Sequence, residues 1–433
     1  MSGISEPDSP TRADEPSSKF EPRHRHQADL VVQEFKRLLH RYDGDAFPAD
    51  LSDGSSSTTD SSPAATWLNN EEVDEQVINY SREDQLERLH SSLLPCLQQQ
   101  LDTLLLSLDE EGLQKDPGTK LELIFEMPSK IDHTFTQIKS ASQLICPEPL
   151  STSNRADDQT LKQSKSYRLD HLSKNFHKMA RQICRVFHMT CEQLEGMRLA
   201  TSDEFTEDYE PDHTFRTFFL EQARTQTSNL IQSTLVFCKG SELDLAQDVW
   251  KEPVQQALNF CLAEAMSVNA RAACLSRNYR TAYRKGVREL FEISVTLMKL
   301  SRLFFNKLSS GRGMNRKRLP SYTEMNSMQL KSLLETAHLV TEDHKKIVEI
   351  LWKADLSPRI LSIRSNQIIK LVETLAARFD LPLLLIVLYI IPLFPELDDQ
   401  NHLKVWFPTW NTQFILAINN FKHIARSLDH DIY

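Results

Sequence analysis

The stretch DLPLLLIVLYIIPLFPELDD, Asp380 to Asp399, raises the first question about the fold, since it is either a membrane span, buried core or a binding surface. Its uncharged run between two prolines, Leu383 to Ile391, spans roughly 14 Å as a helix, against ~30 Å of bilayer hydrocarbon. Acidic residues stand on both sides, and basic residues do not closely flank both ends. A helix that is apolar all round is otherwise a central core helix. We therefore predict that Leu383 to Ile391 is buried in the middle of a bundle, with no membrane insertion.

The remaining sequence also favours helices. The chain has 433 residues and only 10 glycines, whereas Leu, Gln, Lys, Glu and Arg, which lose little rotamer freedom in helices, are abundant. Within Ser81 to Leu108, leucines recur at steps of three and four, as on the apolar side of a helix: Leu86, Leu89, Leu93, Leu97, Leu101, Leu104 and Leu108. The predicted fold class is all-α, with antiparallel bundles of long helices and a disordered N-terminal tail.

Composition predicts five consecutive segments along the chain. These are a disordered tail at 1–26, an isolated amphipathic helix at 27–42, a low-complexity linker at 43–66, and two helical bundle portions at 67–200 and 212–433. The helix at 27–42 either docks on the main body or serves as a helical ligand for a partner. Docking is the interpretation that we favour.

One helix face carries residues of the types that zinc prefers, namely His177, Cys184, His188 and Cys191. A straight helix spreads these four residues over ~21 Å, so at most two neighbours can share one ion. The face also borders the apolar side of the helix, where cysteine behaves as a small hydrophobic residue. We predict that the protein holds no metal and no cofactor.

Catalytic signatures are absent from the sequence. It contains no GxSxG, HExxH, GxxxxGK[ST] or DxDxDG motif, and no pair of carboxylates is set apart for acid–base chemistry. The seven cysteines are scattered without a CxxC pair, and the first residues lack an apolar signal core. We predict a non-enzymatic protein of the cytoplasm or nucleus. The alternative is an enzyme whose pocket lies between helices and uses residues distant in sequence.

Basic residues are concentrated in two places, although the formal net charge of the chain is −10. They form a helical stripe and part of a loop: Arg277, Arg280, Arg284 and Arg288, then Arg316, Lys317 and Arg318. One interpretation is a solvated helix face and loop, paired with glutamates. The other is a binding site whose forked donors suit carboxylates or phosphates. For that case the net charge favours an acidic protein surface over nucleic acid.

Three stretches carry a resemblance to a known group of proteins: SSLLPCLQQQLDTLLLSLDEEGLQ, RGMNRKRLPSYTEM and PLFPELDDQNHLKVWFPTWNTQFILAINNFKHIA. Together they resemble an expanded family of uncharacterised helical proteins predicted from rust fungi, over most of Ser81 to Leu428. The resemblance implies no activity, cofactor or site residue. In architecture alone, the chain is similar to helical-bundle adaptors of the vinculin and cyclin-D-interacting kinds. We therefore expect an adaptor-like protein that acts by binding other macromolecules.

Overall fold

The structure, a computed structural model, describes residues 20–43, 82–146, 155–201, 213–274, 281–309, 321–356 and 358–430. Every regular element within these residues is helical, and no strand occurs among them. The all-α prediction is confirmed. Residues 1–19 of the predicted tail and 44–66 of the predicted linker lie outside the described residues, as does the basic loop at 311–320. Residues 22–26, predicted as part of the tail, are helical, so the first helix begins earlier than we predicted.

Fourteen α-helices make up the described chain. The first seven are α1 (Pro22–Asp43), α2 (Arg82–Arg88), α3 (Leu94–Ser107), α4 (Glu110–Lys115), α5 (Pro117–Ile145), α6 (Ser166–Gly196) and α7 (His213–Lys239). The others are α8 (Glu242–Glu252), α9 (Leu258–Cys274), α10 (Thr281–Ser309), α11 (Ser327–Leu356), α12 (Pro358–Ala377), α13 (Asp380–Leu385) and α14 (Leu397–His430).

Proline explains where two of the predicted helices change their winding. The segment predicted as one helix over Ser81 to Leu108 is α2 and α3, joined by a π-helical turn at Leu89–Leu93. Pro95 follows this turn and has no N–H to donate to the preceding turn. A second π-helical turn, Ile386–Ile390, continues α13 and precedes Pro392 in the same way. In both places a wider turn accommodates the missing hydrogen bond.

The chain divides into two compact units. Unit 1 comprises Met1–Gln143 and Asn175–Gln232, and unit 2 comprises Leu144–Lys174 and Ser233–Tyr433. This division differs from the predicted portions at 67–200 and 212–433, because α6 and α7 each contribute residues to both units. The change in composition between residues 200 and 212 therefore does not mark the border between the two units.

In unit 1, α1 docks on the surrounding helices as we expected, rather than standing free as a ligand. The ring of Phe35 lies 5.1 Å from that of Phe187 on α6, and both side chains are buried. At its C-terminal end, Arg41 Nη1 lies 2.9 Å from Asp132 Oδ2 on α5, and the Tyr42 hydroxyl donates to the same carboxylate. Apolar burial and charge-assisted hydrogen bonds thus fix this helix in place.

Unit 2 is organised around an aromatic core. The ring of Phe379 lies 4.9 Å from Phe304 on α10 and 5.0 Å from both Trp410 and Phe414 on α14. Trp410 Nε1 donates to the Leu300 carbonyl at 2.8 Å, so the polar tip of the buried indole has a partner. Leu300 on α10 contacts Trp410 on α14, whereas Lys307, further along α10, contacts His402, which is earlier on α14. The two helices are therefore antiparallel.

A buried charged cluster, defined here as Lys165, Glu242 and Thr323, also holds unit 2 together. Lys165 and Glu242 are 0% and 1% exposed and form an ion pair. Lys165 Nζ also donates to the Thr323 carbonyl at 2.8 Å, and Thr323 donates its N–H and its hydroxyl to the Glu242 carboxylate. These bonds supply the partners that buried charges need. They join the start of α6, the start of α8 and the segment before α11.

Next to this cluster, one carboxylate caps two helices. Asp158 accepts from the N–H of Ser166, the first residue of α6, at 2.9 Å, and from the N–H of Ser327, the first residue of α11, at 2.8 Å. The Ser327 hydroxyl also donates to it. Burial alone raises the pKa of Asp158, but these hydrogen bonds outweigh burial and hold the pKa below its ordinary value. The ionised carboxylate satisfies N–H groups that would otherwise lack partners at both helix ends.

We expect Lys165→Met to lower the free energy of unfolding by about 3–5 kcal/mol, because it leaves Glu242 as a buried charge without its partner. Combining it with Glu242→Leu removes both charges and should recover a substantial part of the loss. Denaturant unfolding followed by tryptophan fluorescence measures this. Lys345→Met, which breaks an exposed pair with Glu342, is the control and should cost about 1 kcal/mol or less. A double variant less stable than Lys165→Met would contradict the assignment.

Asp158→Asn should destabilise unit 2 at neutral pH by about 1–3 kcal/mol, because the amide nitrogen cannot accept a hydrogen bond and leaves a buried donor without its partner. Because the folded-state pKa of Asp158 is lowered, its contribution is complete above the unfolded-state pKa of about 4 and is lost as the pH falls through the folded-state pKa. Thermal unfolding of parent and variant at a series of pH values tests the prediction. The difference in melting temperature should narrow below about pH 4, and a difference independent of pH would rule out this role.

Candidate functional site

The cationic residues predicted to bind a partner lie mostly where the structure gives no side-chain position. Arg277, Arg280, Arg316, Lys317 and Arg318 lie outside the described residues, and Arg284 belongs to α10 without a described side chain. Arg288 is exposed, and its Nε donates to Glu292 Oε1 on the same helix at 3.1 Å. This is the pairing expected for a solvated helix face. A binding site made by all seven residues stays a prediction.

The apolar segment Leu383 to Ile391 is buried on one side only, so our prediction of an enclosed central helix was wrong. The buried side consists of Leu385, Ile386, Ile390 and Ile391, each at most 1% exposed. The other side forms what we call the apolar stripe: Leu381, Leu384, Val387 and Leu388, which are 44%, 53%, 43% and 55% exposed. Steps of three and four residues place these four side chains on one face of the helix.

Packing on neighbouring helices explains why only one side is covered. α13 packs on α11 and α12, which bury its inner side. Its rotation is fixed just before it begins, where Phe379 enters the aromatic core and Arg378 Nε donates to Asp343 Oδ2 on α11 at 3.1 Å. The helix therefore borders unit 2 and does not run through its centre. A uniformly apolar sequence is compatible with a helix at the surface of unit 2 as well as with one in its centre.

Acidic residues flank the apolar stripe in the sequence, and helical spacing places one of them on its face. Asp380 precedes Leu384 by one helical turn, so it shares the face of the stripe, and it is exposed. Beyond the stripe, Glu396 and Asp398 are exposed and Asp399 is partly exposed. From Phe379 to Asn401 the chain contains these four acids and no Lys, Arg or His. We call these four acids the acidic margin of the stripe; helical spacing places Asp380 on the face of the stripe itself.

One helical stretch in the described part of the chain, Ser365–Leu393, is long and apolar enough by length and composition to cross a membrane. Core helices of globular proteins meet the same criterion. The stretch is also interrupted, since α12 ends at Ala377 and α13 begins at Asp380. It carries Arg378, which pairs with Asp343 inside unit 2. Our expectation that the chain does not insert into a membrane stays a prediction.

Charged side chains in a protein interior are often functional, but the buried charged cluster lacks the features of a catalytic centre. Each of its polar contacts joins helix ends, and its two charged groups are at most 1% exposed. A substrate would have no access to them in this conformation. The cluster therefore serves the fold, and it gives no support to an enzymatic pocket at that position.

The residues considered for zinc do not converge either. No group of three or more metal-ligating side chains occurs within the described ranges. Cys184 and Cys191 are buried, and His188 is exposed beside Glu192. Burial raises the pKa of the Cys191 thiol to about 12, so at neutral pH the thiol is protonated and is a poor nucleophile.

Comparison with known proteins finds two domain families. Residues 82–239 match a domain of unknown function, DUF8723, and residues 241–423 match another, DUF8721. The matches meet at Gly240, between α7 and α8. No curated protein and no solved structure matches the chain. The apolar stripe lies within the region similar to DUF8721.

A pair of substitutions in one helix tests whether the stripe is outside the core. Ile386→Asp buries an unpaired charge and should prevent stable folding, because the cost of several kcal/mol approaches the stability of a domain. Leu388→Asp, two residues further along, should leave the melting temperature nearly unchanged. Circular dichroism during heating measures both. Equal destabilisation by the two substitutions would show that Leu388 is part of the core.

Proposed function

We propose that the protein is non-enzymatic and adaptor-like, and that it binds another protein through the apolar stripe. The observation that supports this most directly is the exposure of four large apolar side chains on one helix face. Single exposed apolar residues are common on protein surfaces, whereas a contiguous group marks an interaction site more often. The scaffold beneath the stripe is rigid enough to present it, because the inner side of α13 is fully buried.

The absence of catalytic sequence motifs and the structural role of the buried charged cluster support a binding function over the enzymatic alternative. Six cysteines in the described chain are free thiols, which supports a place in the reducing cytoplasm or nucleus. The similarity to helical proteins of rust fungi is compatible with this proposal and adds no specific partner.

Site-specific photo-crosslinking tests the proposed function. A photo-reactive phenylalanine analogue replaces Leu384 in the stripe or, as a control, Phe260 on α9, which is 69% exposed. We expect a covalent adduct with a different protein from position 384 and none with that protein from position 260. The absence of such an adduct at position 384 would overturn the proposal.

The adduct then has to depend on the stripe in a purified system. Once its partner is identified by mass spectrometry, binding of the purified partner should weaken by about tenfold or more in the double variant Leu384→Asp with Leu388→Asp. Phe260→Asp serves as the matched control and should bind like the parent. Unchanged binding by the double variant would also contradict the proposal.

A further inference from the structure

We propose that the segment covering the apolar stripe is an amphipathic helix with Lys or Arg on its polar side. This inference rests on the proposed function and specifies the chemistry of the partner. It follows from the dimensions of the stripe and from the charges at its ends.

The dimensions of the stripe suit one helix. From Leu381 to Leu388 the α-carbons advance by roughly 10 Å, or about two helical turns. A partner helix that places apolar residues at i, i+3 or i+4, and i+7 covers such a length with two or three anchors. Leu384 and Leu388 are the most exposed members of the stripe, so they provide the ridge against which these anchors pack.

The charges at the ends select the polar side of the partner. Asp380 stands at one end of the stripe, and Glu396 and Asp398 follow the other end, with no basic residue between Phe379 and Asn401. An approaching cationic helix is attracted by this acidic margin, and a Lys or Arg beside its apolar side can pair with Asp380 once that side is seated. None of these three carboxylates belongs to the buried charged cluster.

The same margin disfavours two other occupants. A second copy of the chain, docked stripe against stripe, brings two acidic segments towards each other, which is electrostatically unfavourable. A bilayer with anionic lipids repels the acids that flank the stripe. A basic helix is the occupant for which both the apolar surface and the charges are favourable.

Designed peptides provide the test, with the full chain as the receptor. The probe is a helical peptide of roughly 14 residues, with leucines at i, i+3, i+4 and i+7 and lysines elsewhere. One comparison peptide has glutamate in place of every lysine, and the other has the Leu/Lys composition in a non-amphipathic order. Fluorescence anisotropy should show the amphipathic Leu/Lys peptide binding about tenfold or more tightly than either comparison peptide. Equal binding of the Lys and Glu peptides would overturn the inference.

Variants of the chain separate binding at the stripe from general attraction to an acidic protein. Leu384→Asp with Leu388→Asp should weaken binding of the Leu/Lys peptide by about tenfold or more, whereas Phe260→Asp should leave it unchanged. Asp380→Asn with Glu396→Gln should lower the affinity and reduce its dependence on salt between about 50 and 500 mM. Peptide binding that none of the stripe variants alters would contradict the inference.

The other occupants give distinct results. Sedimentation of the chain with phosphatidylserine-containing vesicles, abolished by the Leu384→Asp and Leu388→Asp double variant, would overturn the inference in favour of a lipid surface. A dimer in sedimentation velocity that the same variant dissociates would overturn it in favour of a second copy. If the Leu/Lys peptide does not bind but the crosslinked partner still requires the stripe, the basic amphipathic helix is refuted as the occupant and the proposed function stands. If the crosslink itself is absent, both are refuted.

Discussion

The carboxylate of Asp158 is the constraint on which the arrangement of unit 2 depends. It closes the N-terminal ends of α6 and α11, two helices that begin 161 residues apart in sequence, at Ser166 and Ser327. The adjacent ion pair of Lys165 and Glu242 adds the start of α8 to the same junction. α11 in turn provides Asp343, which receives Arg378 just ahead of α13. Asp343 lies near the middle of α11, so this helix connects the contact that orients α13 with the Asp158 carboxylate at the N-terminal end of α11.

The helix that carries the stripe has two energetic roles. Its inner side contributes burial, at roughly 25 cal/mol for each Å² of apolar surface removed from water. Its outer side leaves comparable side chains in contact with solvent, so the same gain is still available to a partner. Like-charge repulsion between the acids of two copies disfavours pairing of this surface with itself. The proposed binding function requires this, because the stripe has to stay available to a different partner.

The sequence allowed the fold class and the docking of α1 to be predicted, since both follow from apolar residues at helical spacing. Periodicity also located α3 with its buried leucines. It could not show that Leu384 and Leu388 face water, because hydrophobicity is required for burial without guaranteeing it. The outcome depends on how α11 and α12 cover one side of α13. Asp380 precedes Leu384 by four residues and Leu388 by eight, so an acid shares their helix face and indicates that this face is exposed. The many apolar residues around it made this indication easy to miss. The partners of Asp158 and Lys165 lie up to 169 residues away, beyond any local pattern.

The interleaved composition of the two units has a consequence for synthesis on the ribosome. Unit 1 needs nothing beyond Gln232, so all of its residues have been made while much of unit 2 is still untranslated. Residues 144–174 belong to unit 2 but emerge early, before Glu242, Thr323 and Ser327 exist to receive them. Until then, Asp158 and Lys165 are charged groups without their folded-state partners, and leaving water in that state is unfavourable. Unit 2 can therefore acquire these bonds only after α8 and the start of α11 have been translated.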